Sequence, residues 1–455
     1  MFPAKVKMHD VLRRLYWTWH LGCHYLKQVH YPFRSRDAVR HDQSRRIQRM
    51  VAHAYRFVPY YRETFDRLGL RPSDFRTVDD LARLPVLERR EIQSAPERFL
   101  SSARSAGPHE CFHTGGSTGA PISIYHGLDA ILQTAVHGQR YHDVFAAHFP
   151  ARRRSRETWI FPSADSNTMR YGRLQLDNTF LAERLVSSRQ FLSMLDPPEK
   201  NIPLINAYKP DVIHSYGSYL EVLFARLQAT GEAFHRPKAV GFGGDGLSDS
   251  ARRLILDHFG IPAFSLYSSV EAPSMAFECG EHRGLHINED IYPLRVVDAS
   301  GRSLPAGEYG EVVVSNLVNR TMILLNYRLG DLAALLPDPC ACGRSLPLMS
   351  FPAGRKDDWL ELPSGEPVHP SLVYPLLRDE EAVLQYRVVQ ESPLDFHVVL
   401  VAKTSCNRLE TEARLAAKFG RVFGGKIRLR VSFVSFIPRT PSGKVRPVMS
   451  MRHDP

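Results

Sequence analysis

The sequence predicts an α/β protein in which a large N-terminal domain of mixed β-sheets flanked by helices precedes a small α+β domain. At 455 residues the chain is too long for a single hydrophobic core. From about residue 110, short apolar runs alternate with glycine turns and helical stretches, which is typical of a sheet that binds ligands at its carboxyl strand ends. The pattern restarts after Gly354, so we place the domains at 1–354 and 355–455.

Helices are predicted for residues 1–100. The segment 12–31 is aromatic and apolar in places, but Arg, Lys and His side chains interrupt it well short of a membrane span. We therefore predict an amphipathic N-terminal helix packed on the body of the protein. A second helical pattern runs from Arg45 and stops at Gly69.

The segments that follow place individual elements of the sheet. Strand segments, some with their glycine turns, are predicted at 157–163, 210–218, 239–246 and 263–269, and helices at 219–231 and 249–260 lie between them. Residues 290–335 are rich in strand patterns. The last hundred residues predict two strands, a helix and a third strand before a basic loop.

The composition excludes several classes of protein. Hydrophobic residues make up 43% and charged residues 24%, which argues against disorder and coiled coils. The net charge of +11 favours an anionic partner, and because no arginine–aromatic nucleic-acid module is present we expect a small molecule rather than nucleic acid. Six unevenly spaced cysteines, with no signal peptide or transmembrane segment expected, predict a reducing cytoplasm.

Two loops far apart in the chain indicate nucleotide chemistry. Three glycines and three hydroxyls that can surround phosphate oxygens form the run Thr114, Gly115, Gly116, Ser117, Thr118, Gly119. Residues 441–444 end in Lys444, a cation on a tight turn able to reach a distant anion. Each loop alone also fits a surface turn, so the pair is what indicates function. A P-loop NTPase or kinase is excluded, because no GxxxxGK[ST] motif is present.

Four shorter motifs lie in order between these loops. A strand-to-helix turn, where backbone can approach a flat ring or a sugar, carries Gly243, Gly244 and Asp245. The next strand ends with an aromatic ring for stacking and a carboxylate for Mg²⁺, in the run Tyr267, Ser268, Ser269, Val270, Glu271. Asp331 suits two ribose hydroxyls, and residues 354–358 stand at the domain junction. Individually, each motif also fits a turn, a helix cap or a strand end.

With these motifs in this order, the chain resembles the adenylate-forming superfamily of acyl-CoA synthetases, peptide-synthetase adenylation domains and luciferases. Within it, the chain is most similar to the phenylacetate–CoA ligase branch and its capsule-biosynthesis relatives. The resemblance covers about 45–447 and includes VPYYRETFDRLGL and GLHINED at 284–290. It implies that ATP and a carboxylic acid, of aryl or aryl-acetic type, form an acyl-adenylate with release of pyrophosphate. The acyl group would then pass to CoA, and the small domain would act as a mobile lid.

The resemblance also implies a role for each site residue. Thr114, Gly115, Gly116, Ser117, Thr118 and Gly119 would hold the ATP phosphates, while Gly243, Gly244 and Asp245 would line adenine, with Tyr267 stacked on it beside Ser268 and Ser269. Glu271 would bind Mg²⁺, Asp331 and Arg355 would hold the ribose, and Asp357 would be the hinge. The catalytic residues would be Thr118, Glu271 and Lys444, with Lys444 bridging the carboxylate and the α-phosphate.

Three positions depart from the superfamily pattern. Val270 replaces the usual Thr or Ser before the glutamate, Ala120 stands where a lysine or polar residue is common, and the segment after the hinge differs from the glycine-containing loop of CoA ligases. Several alternatives stay open as a result. The acceptor is CoA, an amine, a hydroxyl or a carrier-protein thiol, or AMP itself is transferred, or the chain is a non-catalytic binding or scaffold protein. A homodimer also stays open.

A second cluster predicts a metal. Cys279, His282, Cys340 and Cys342 offer three soft thiolates and one imidazole, which suit a closed, tetrahedral, structural Zn²⁺. Small buried thiols are the alternative. His286 is the rival fourth ligand, but it lies in the GLHINED run, so we assign it to the active-site wall.

Overall fold

The protein is described here from a computed structural model. The structure describes residues 8–103, 108–114, 121–148, 155–180, 187–354, 360–368, 372–373, 376–377, 380, 382–403, 405–424, 426–438 and 448–450.

Helices form the N-terminal part, as predicted. They are α1 (Met8–His30), α2 (Arg36–Phe57), α3 (Pro59–Leu68) and α4 (Arg89–Ser94), with 3₁₀ turns at Tyr31–Phe33, Pro72–Asp74, Asp79–Arg83 and Pro96–Phe99. The run predicted from Arg45 to Gly69 is two helices, because Val58 is extended (φ −119°, ψ 118°) before Pro59. Gly69 ends α3 with φ 64°.

A hairpin and a large sheet follow. The hairpin consists of β1 (His109–His113) and β2 (Ser123–Gly127), and it carries the hydroxyl–glycine loop between its strands. The parallel part of the sheet contains β3 (Ser155–Phe161), β4 (Ser187–Ser193), β5 (Val212–Ser215), β6 (Ala239–Gly243) and β7 (Ala263–Tyr267). Antiparallel strands extend it through β8 (Ala276–Glu278), β9 (Leu285–Ile287), β13 (Leu335–Leu336) and β14 (Leu348–Met349). The spatial order is β13-β14-β9-β8-β7-β6-β5-β3-β4.

Helices cover both faces of this sheet. They are α5 (Leu128–Ala146), α6 (Asn167–Asp177), α7 (Pro198–Tyr208), α8 (Gly217–Thr230) and α9 (Asp249–Arg253), which continues as a π-helical turn at Leu254–His258. On one face, Leu220 and Leu223 of α8 pack with Ile213 and Val240 of the sheet. On the other, Tyr141 and Phe145 of α5 belong to a separate apolar cluster. Helices on both faces are what an α/β sheet requires to bury its strands.

Two smaller sheets complete the fold. The first is antiparallel and consists of β10 (Leu294–Val297), β11 (Gly310–Val314) and β12 (Tyr327–Ala333). The second belongs to the C-terminal part and has the order β19-β18-β17-β20, formed by β17 (Val383–Ser392), β18 (Asp395–Ala402), β19 (Arg428–Phe433) and β20 (Val448–Ser450). A short hairpin of β15 (Leu360–Glu361) and β16 (Pro367–Val368) precedes it, and α10 (Arg408–Phe423) packs on it.

The C-terminal part has its own apolar core, which includes Val388, Val398, Leu415 and Phe419. The mixed α/β class with a separate C-terminal domain is therefore confirmed. The boundary between 354 and 355 and the mobility of the second domain stay predictions.

A buried ion pair joins the helices to the sheet. Arg140 of α5 donates two hydrogen bonds to Asp290, at 2.7 and 2.9 Å, and both side chains are fully buried. Burial opposes ionisation of Asp290, but the Arg140 guanidinium overrides it and holds the pKa of that carboxyl well below its usual range. Since removing one partner of such a pair typically costs about 3–5 kcal/mol, this contact fixes α5 firmly against the segment after β9.

Candidate active site

The centre of the candidate site is a contact between two predicted residues that are distant in sequence. Tyr267, the last residue of β7, donates its hydroxyl to the Asp331 carboxylate at 2.8 Å. Tyr267 belongs to the large sheet and Asp331 to β12 of the three-stranded sheet. The site therefore lies where the two sheets meet, at the carboxyl ends of the parallel strands.

Glu271 lies in the turn after β7 and is buried, with 6% of its surface exposed. The Tyr327 hydroxyl donates to the Glu271 carboxylate at 3.2 Å. The backbone carbonyl of Glu271 accepts from the Asn316 amide at 2.8 Å. Because Tyr327 and Asp331 are both on β12, one strand orients both carboxylates of the site. A single carboxylate oxygen suits Mg²⁺, which takes most of its other ligands from substrate phosphates and water.

The two serines before Glu271 shape the turn that carries it. The Ser268 hydroxyl accepts from the Ser274 N–H, and the Ser269 hydroxyl accepts from the Ala272 N–H, both at 3.1 Å. Val270 directs its side chain against the neighbouring apolar cluster, and its carbonyl accepts from the His126 Nε2–H at 2.7 Å. Burial lowers the pKa of His126 to about 4, so this imidazole is neutral and its tautomer is set by that bond.

His126 also connects the turn to the glycine loop, because it lies on β2 of the hairpin. At the base of that loop, the buried Thr114 hydroxyl accepts from Arg89 at 2.8 Å and from the Ile122 N–H at 3.1 Å. Thr114 therefore closes the loop, and Arg89 brings a guanidinium to its base. Arg89 was not identified from the sequence, since RREIQ matches an ordinary surface helix.

The turn after β6 is held closely by its neighbours. Gly244 has φ 82°, and a Cβ atom there would lie 2.9 Å from the Tyr216 ring. The Asp245 carboxylate accepts from the N–H of Ser218 at 3.1 Å and from its hydroxyl, so it caps the first turn of α8. The Gly243–Asp245 turn therefore follows β6 directly, and the Asp245 side chain holds the start of α8. Its role toward adenine stays a prediction. Tyr216, behind Gly244, was not identified from the sequence.

A second group of functional side chains, three cysteines and a histidine, lies beside the antiparallel strands β8, β9 and β14. The ligand atoms of Cys279, His286, Cys340 and Cys342 all lie within 4.8 Å of one another. The Cys279 and Cys340 sulfurs are 3.6 Å apart, and the Cys342 sulfur lies 3.3 Å from His286 Nε2. Zn–S bonds of about 2.3 Å at the tetrahedral angle would place two sulfurs about 3.8 Å apart. His286 bonds its Nδ1 to the Leu346 carbonyl at 3.2 Å, which directs Nε2 at the thiols. The donor set and its geometry fit zinc.

His282 does not belong to this group, and His286 is not on the active-site wall. The His282 Nδ1 lies 2.7 Å from a carboxylate oxygen of the fully buried Glu278, and its ring stacks on Phe264. The CxxH spacing suggested His282, but strand pairing decides the matter. His286 pairs with Phe277 of β8, which precedes Cys279 by two residues, and with Leu348 of β14. This pairing brings His286 to the thiols.

Residues 360–451 match the family model of the CapK C-terminal domain. The chain is 27% identical over 452 residues to a phenylacetate–coenzyme A ligase of Thermus thermophilus, with 92% of this chain and 97% of that protein covered. It is 30% identical over 332 residues to a phenylacetate–coenzyme A ligase of Aromatoleum evansii, with 72% of each covered. The chain belongs to the phenylacetate–CoA ligase family.

The family is one of AMP-forming acid–thiol ligases, so this member is an enzyme of that type, as the sequence predicted. Its fold is shared with a solved 2-hydroxyisobutyryl-CoA ligase in the postadenylation state in complex with 2-HIB-AMP. The TM-score is 0.73 at 20% identity, with 90% of this chain and 89% of that chain covered.

Several predicted site residues lie outside the described part of this family member. These are Gly115, Gly116, Ser117, Thr118, Gly119, Arg355, Asp357 and Lys444, and their roles stay predictions. Among the described residues, Tyr267 bonds Asp331, Tyr327 bonds Glu271, and His126 bonds the Val270 carbonyl beside Glu271. The ligand roles assigned to these residues stay predictions.

The metal cluster yields a test with a matched pair of histidines. Purified protein should carry about one zinc per chain, and His286→Ala or Cys340→Ser should lose it, with the apparent melting temperature falling by about 5 °C or more. His282→Ala should keep the zinc, because its ring is hydrogen-bonded to Glu278 instead. Elemental analysis by mass spectrometry and thermal denaturation measure both effects. Zinc loss in His282→Ala but not in His286→Ala would contradict this assignment.

Proposed function

We propose that this protein joins a carboxylic acid to the AMP moiety of ATP, releases pyrophosphate, and transfers the acyl group to CoA. The observation that carries the proposal is the Tyr267–Asp331 contact, with buried Glu271 beside it, at the carboxyl edge of the parallel sheet. A ring able to stack on a base stands beside a carboxylate able to accept ribose hydroxyls, and His126 links the turn of Glu271, a candidate metal ligand, to the hairpin that carries the glycine loop. Family membership supports the same reaction.

The chemistry explains why these groups are needed. A carboxylate is a poor electrophile, and its mixed anhydride with AMP is a reactive one. The transition state gathers negative charge on the α-phosphate, so fixed N–H dipoles and cations there lower the barrier directly. In our proposal the loop at 114–119, with Thr118, would supply dipoles to the phosphates, and Glu271 would hold a Mg²⁺ ion that offsets phosphate charge. Lys444 bridges the acid and the α-phosphate.

Asp331 and Arg355 would hold the ribose hydroxyls, and the Tyr267 ring would cover adenine above Gly243 and Gly244. The Tyr267–Asp331 hydrogen bond supports this division of roles, since it sets the ring and the carboxylate side by side. We propose that Asp357 is the hinge about which residues from about 358 to 455 move between the two half-reactions. CoA is the acceptor that family membership favours over an amine or a carrier-protein thiol.

The reaction is tested by its products. With Mg-ATP and a suitable aryl or aryl-acetic acid, the protein should form AMP and pyrophosphate, and adding CoA should yield the acyl thioester. Nucleotides are separated by chromatography and the thioester is identified by mass spectrometry. ADP and phosphate would refute adenylation, and adenylate without thioester would move the acceptor to another nucleophile.

Lys444 is tested by substitution. Lys444→Ala should slow pyrophosphate release about 10²–10³-fold, because one fixed cation at the transition state is lost, while ATP binding stays nearly unchanged. Lys426, exposed elsewhere in the C-terminal part, provides the matched control, and Lys426→Ala should retain full activity. Near-normal pyrophosphate release in Lys444→Ala would assign the cation to another residue.

A further inference from the structure

A buried asparagine with an unusual backbone conformation directly precedes β12. Asn326 has φ 58°, in the left-handed region, and only 1% of its surface is exposed. Residues other than glycine rarely hold this conformation, although asparagine tolerates it better than most because its short polar side chain can hydrogen-bond locally. Such backbone persists where the surrounding structure fixes it, and it is concentrated at functional sites. The contacts of Asn326 are therefore informative.

Hydrogen bonds fix Asn326 from several directions. Its side-chain nitrogen donates to the carbonyls of Leu84 and Pro85 at 2.8 and 3.2 Å, and its side-chain oxygen accepts from Arg295 of β10 at 2.7 Å. Its backbone N–H donates to the hydroxyl of Ser315, which follows β11, at 2.8 Å. One side chain and one N–H thus join the start of β12 to three other segments.

The segment that receives the side-chain bonds of Asn326 also pairs with the start of β12. Leu87 donates its N–H to the Asn326 carbonyl at 2.9 Å and accepts at its own carbonyl from the Arg328 N–H at 3.0 Å. The two segments run parallel, and we call them, residues 84–89 and 326–328, the clamp. Backbone and side-chain bonds together hold its two segments in one register.

Both segments of the clamp end in side chains of the candidate active site. On one segment, the Tyr327 hydroxyl donates to the Glu271 carboxylate at 3.2 Å. On the other, Arg89 donates to the Thr114 hydroxyl at 2.8 Å, at the base of the glycine loop. The clamp therefore ties the candidate metal ligand to the candidate phosphate loop.

The position of Glu271 matters because of the ion that it would hold. Mg²⁺ requires near-ideal octahedral geometry with oxygen atoms at about 2.0–2.1 Å, and it takes only one or two carboxylates from the protein. A small displacement of the Glu271 carboxylate would therefore weaken binding of the ion. The Tyr327 hydroxyl restricts that carboxylate, and Asn326 directs the strand from which Tyr327 projects.

This inference rests on the proposed function. We propose that Asn326 is a positioning residue for adenylation, and that it acts through Tyr327 on the affinity of the Glu271 site for Mg²⁺. In the second half-reaction the pyrophosphate has left, and with it most of the phosphate charge that a Mg²⁺ ion would offset. The clamp should then affect adenylate formation much more than acyl transfer to CoA.

Two variants test this assignment. Asn326→Gly keeps the left-handed backbone, since glycine adopts it freely, but removes the three side-chain hydrogen bonds. Tyr327→Phe removes one hydroxyl and keeps the ring. Each should raise the Mg²⁺ concentration needed for half-maximal pyrophosphate release about 10-fold. Thioester formation from supplied acyl-adenylate should change less than about two-fold, because that step contains no pyrophosphate.

A double variant distinguishes positioning from a general loss of stability. If Asn326 acts through Tyr327, combining Asn326→Gly with Tyr327→Phe should raise the Mg²⁺ requirement no further, whereas independent effects would multiply to about 100-fold. Calorimetric titration with ATP at fixed Mg²⁺ concentrations, without any acid, gives the same comparison in the absence of turnover. Lys209→Gly is the matched control, since Lys209 also has a positive φ (55°) but is exposed at the end of α7, and it should leave the Mg²⁺ requirement unchanged.

The outcomes separate this inference from the proposed function. Without Mg²⁺-dependent pyrophosphate release by the wild type, the proposed function fails and the inference with it. If the wild type is active but either variant keeps its Mg²⁺ requirement, if the two effects multiply, or if thioester formation falls equally, only the Asn326 assignment fails.

Ser315→Ala covers the case of a glycine variant that does not fold. It removes only the acceptor of the Asn326 N–H, so it should raise the Mg²⁺ requirement by a smaller factor, about 3-fold, in the wild type and not in Tyr327→Phe. An unchanged requirement in Ser315→Ala would count against the assignment.

Discussion

The segment from His286 to Asp290 is the constraint on which most of the large domain depends. Its side chains reach in different directions: His286 to the three thiols, Asn288 and Asp290 to Arg140 of α5, and Glu289 to Arg36 of α2. Arg140 in turn reaches Gln28 of α1. Helices distant in sequence thus depend on five consecutive residues, and the GLHINED run is a structural junction.

The segment from His286 to Asp290 also supports the candidate active site, although none of its own residues lies in that site. Asn288 donates to the Ser274 carbonyl at 2.8 Å, and Ser274 ends the turn that carries Glu271. The metal cluster holds the other side, because Cys340 and Cys342 follow β13 and β12, and β12 carries Tyr327 and Asp331. A structural zinc there would stabilise the relation between Glu271 and Asp331 without touching a substrate.

Much of the fold could be predicted because its signals are local. Strand–glycine–helix alternation predicted β3, β5, β6, β7 and the helices that follow β5 and β6, since each of these elements carries its own periodicity and turn. The break at Val58–Pro59 was missed, because apolar spacing continues across it and only the steric effect of proline interrupts the helix. The strand β4 has an exposed and polar sequence, so its pairing with β3 depends on tertiary context.

Less of the site than of the fold could be predicted from sequence motifs. The motifs singled out Tyr267, Glu271 and Asp331, and the structure brings the ends of β7 and the strand β12 of a second sheet together so that Tyr267 bonds Asp331 and Tyr327 bonds Glu271. The motifs could not show that the Asp245 carboxylate caps α8, or that Glu278 engages His282 and leaves His286 for the thiols. Both outcomes depend on which side chains lie close enough to form a hydrogen bond in the folded protein. Packing decides that, and the order of motifs does not show it.

Charge balance argues for the division of labour proposed between the two domains. Glu271 and Asp331 are both carboxylates, and a triphosphate entering between them adds further negative charge to a partly buried site. Like charges that lie close together repel strongly when water is excluded. The Asp331 charge is offset by the hydrogen bond from Tyr267 and, in the proposed complex, would be offset further by the ribose hydroxyls, whereas the phosphates would require cations. A metal ion at Glu271 would supply one, and in our proposal Lys444 of the C-terminal domain would supply another only when that domain closes. Closure and the transition-state charge would then be coupled, so that the charged state forms only in a closed site.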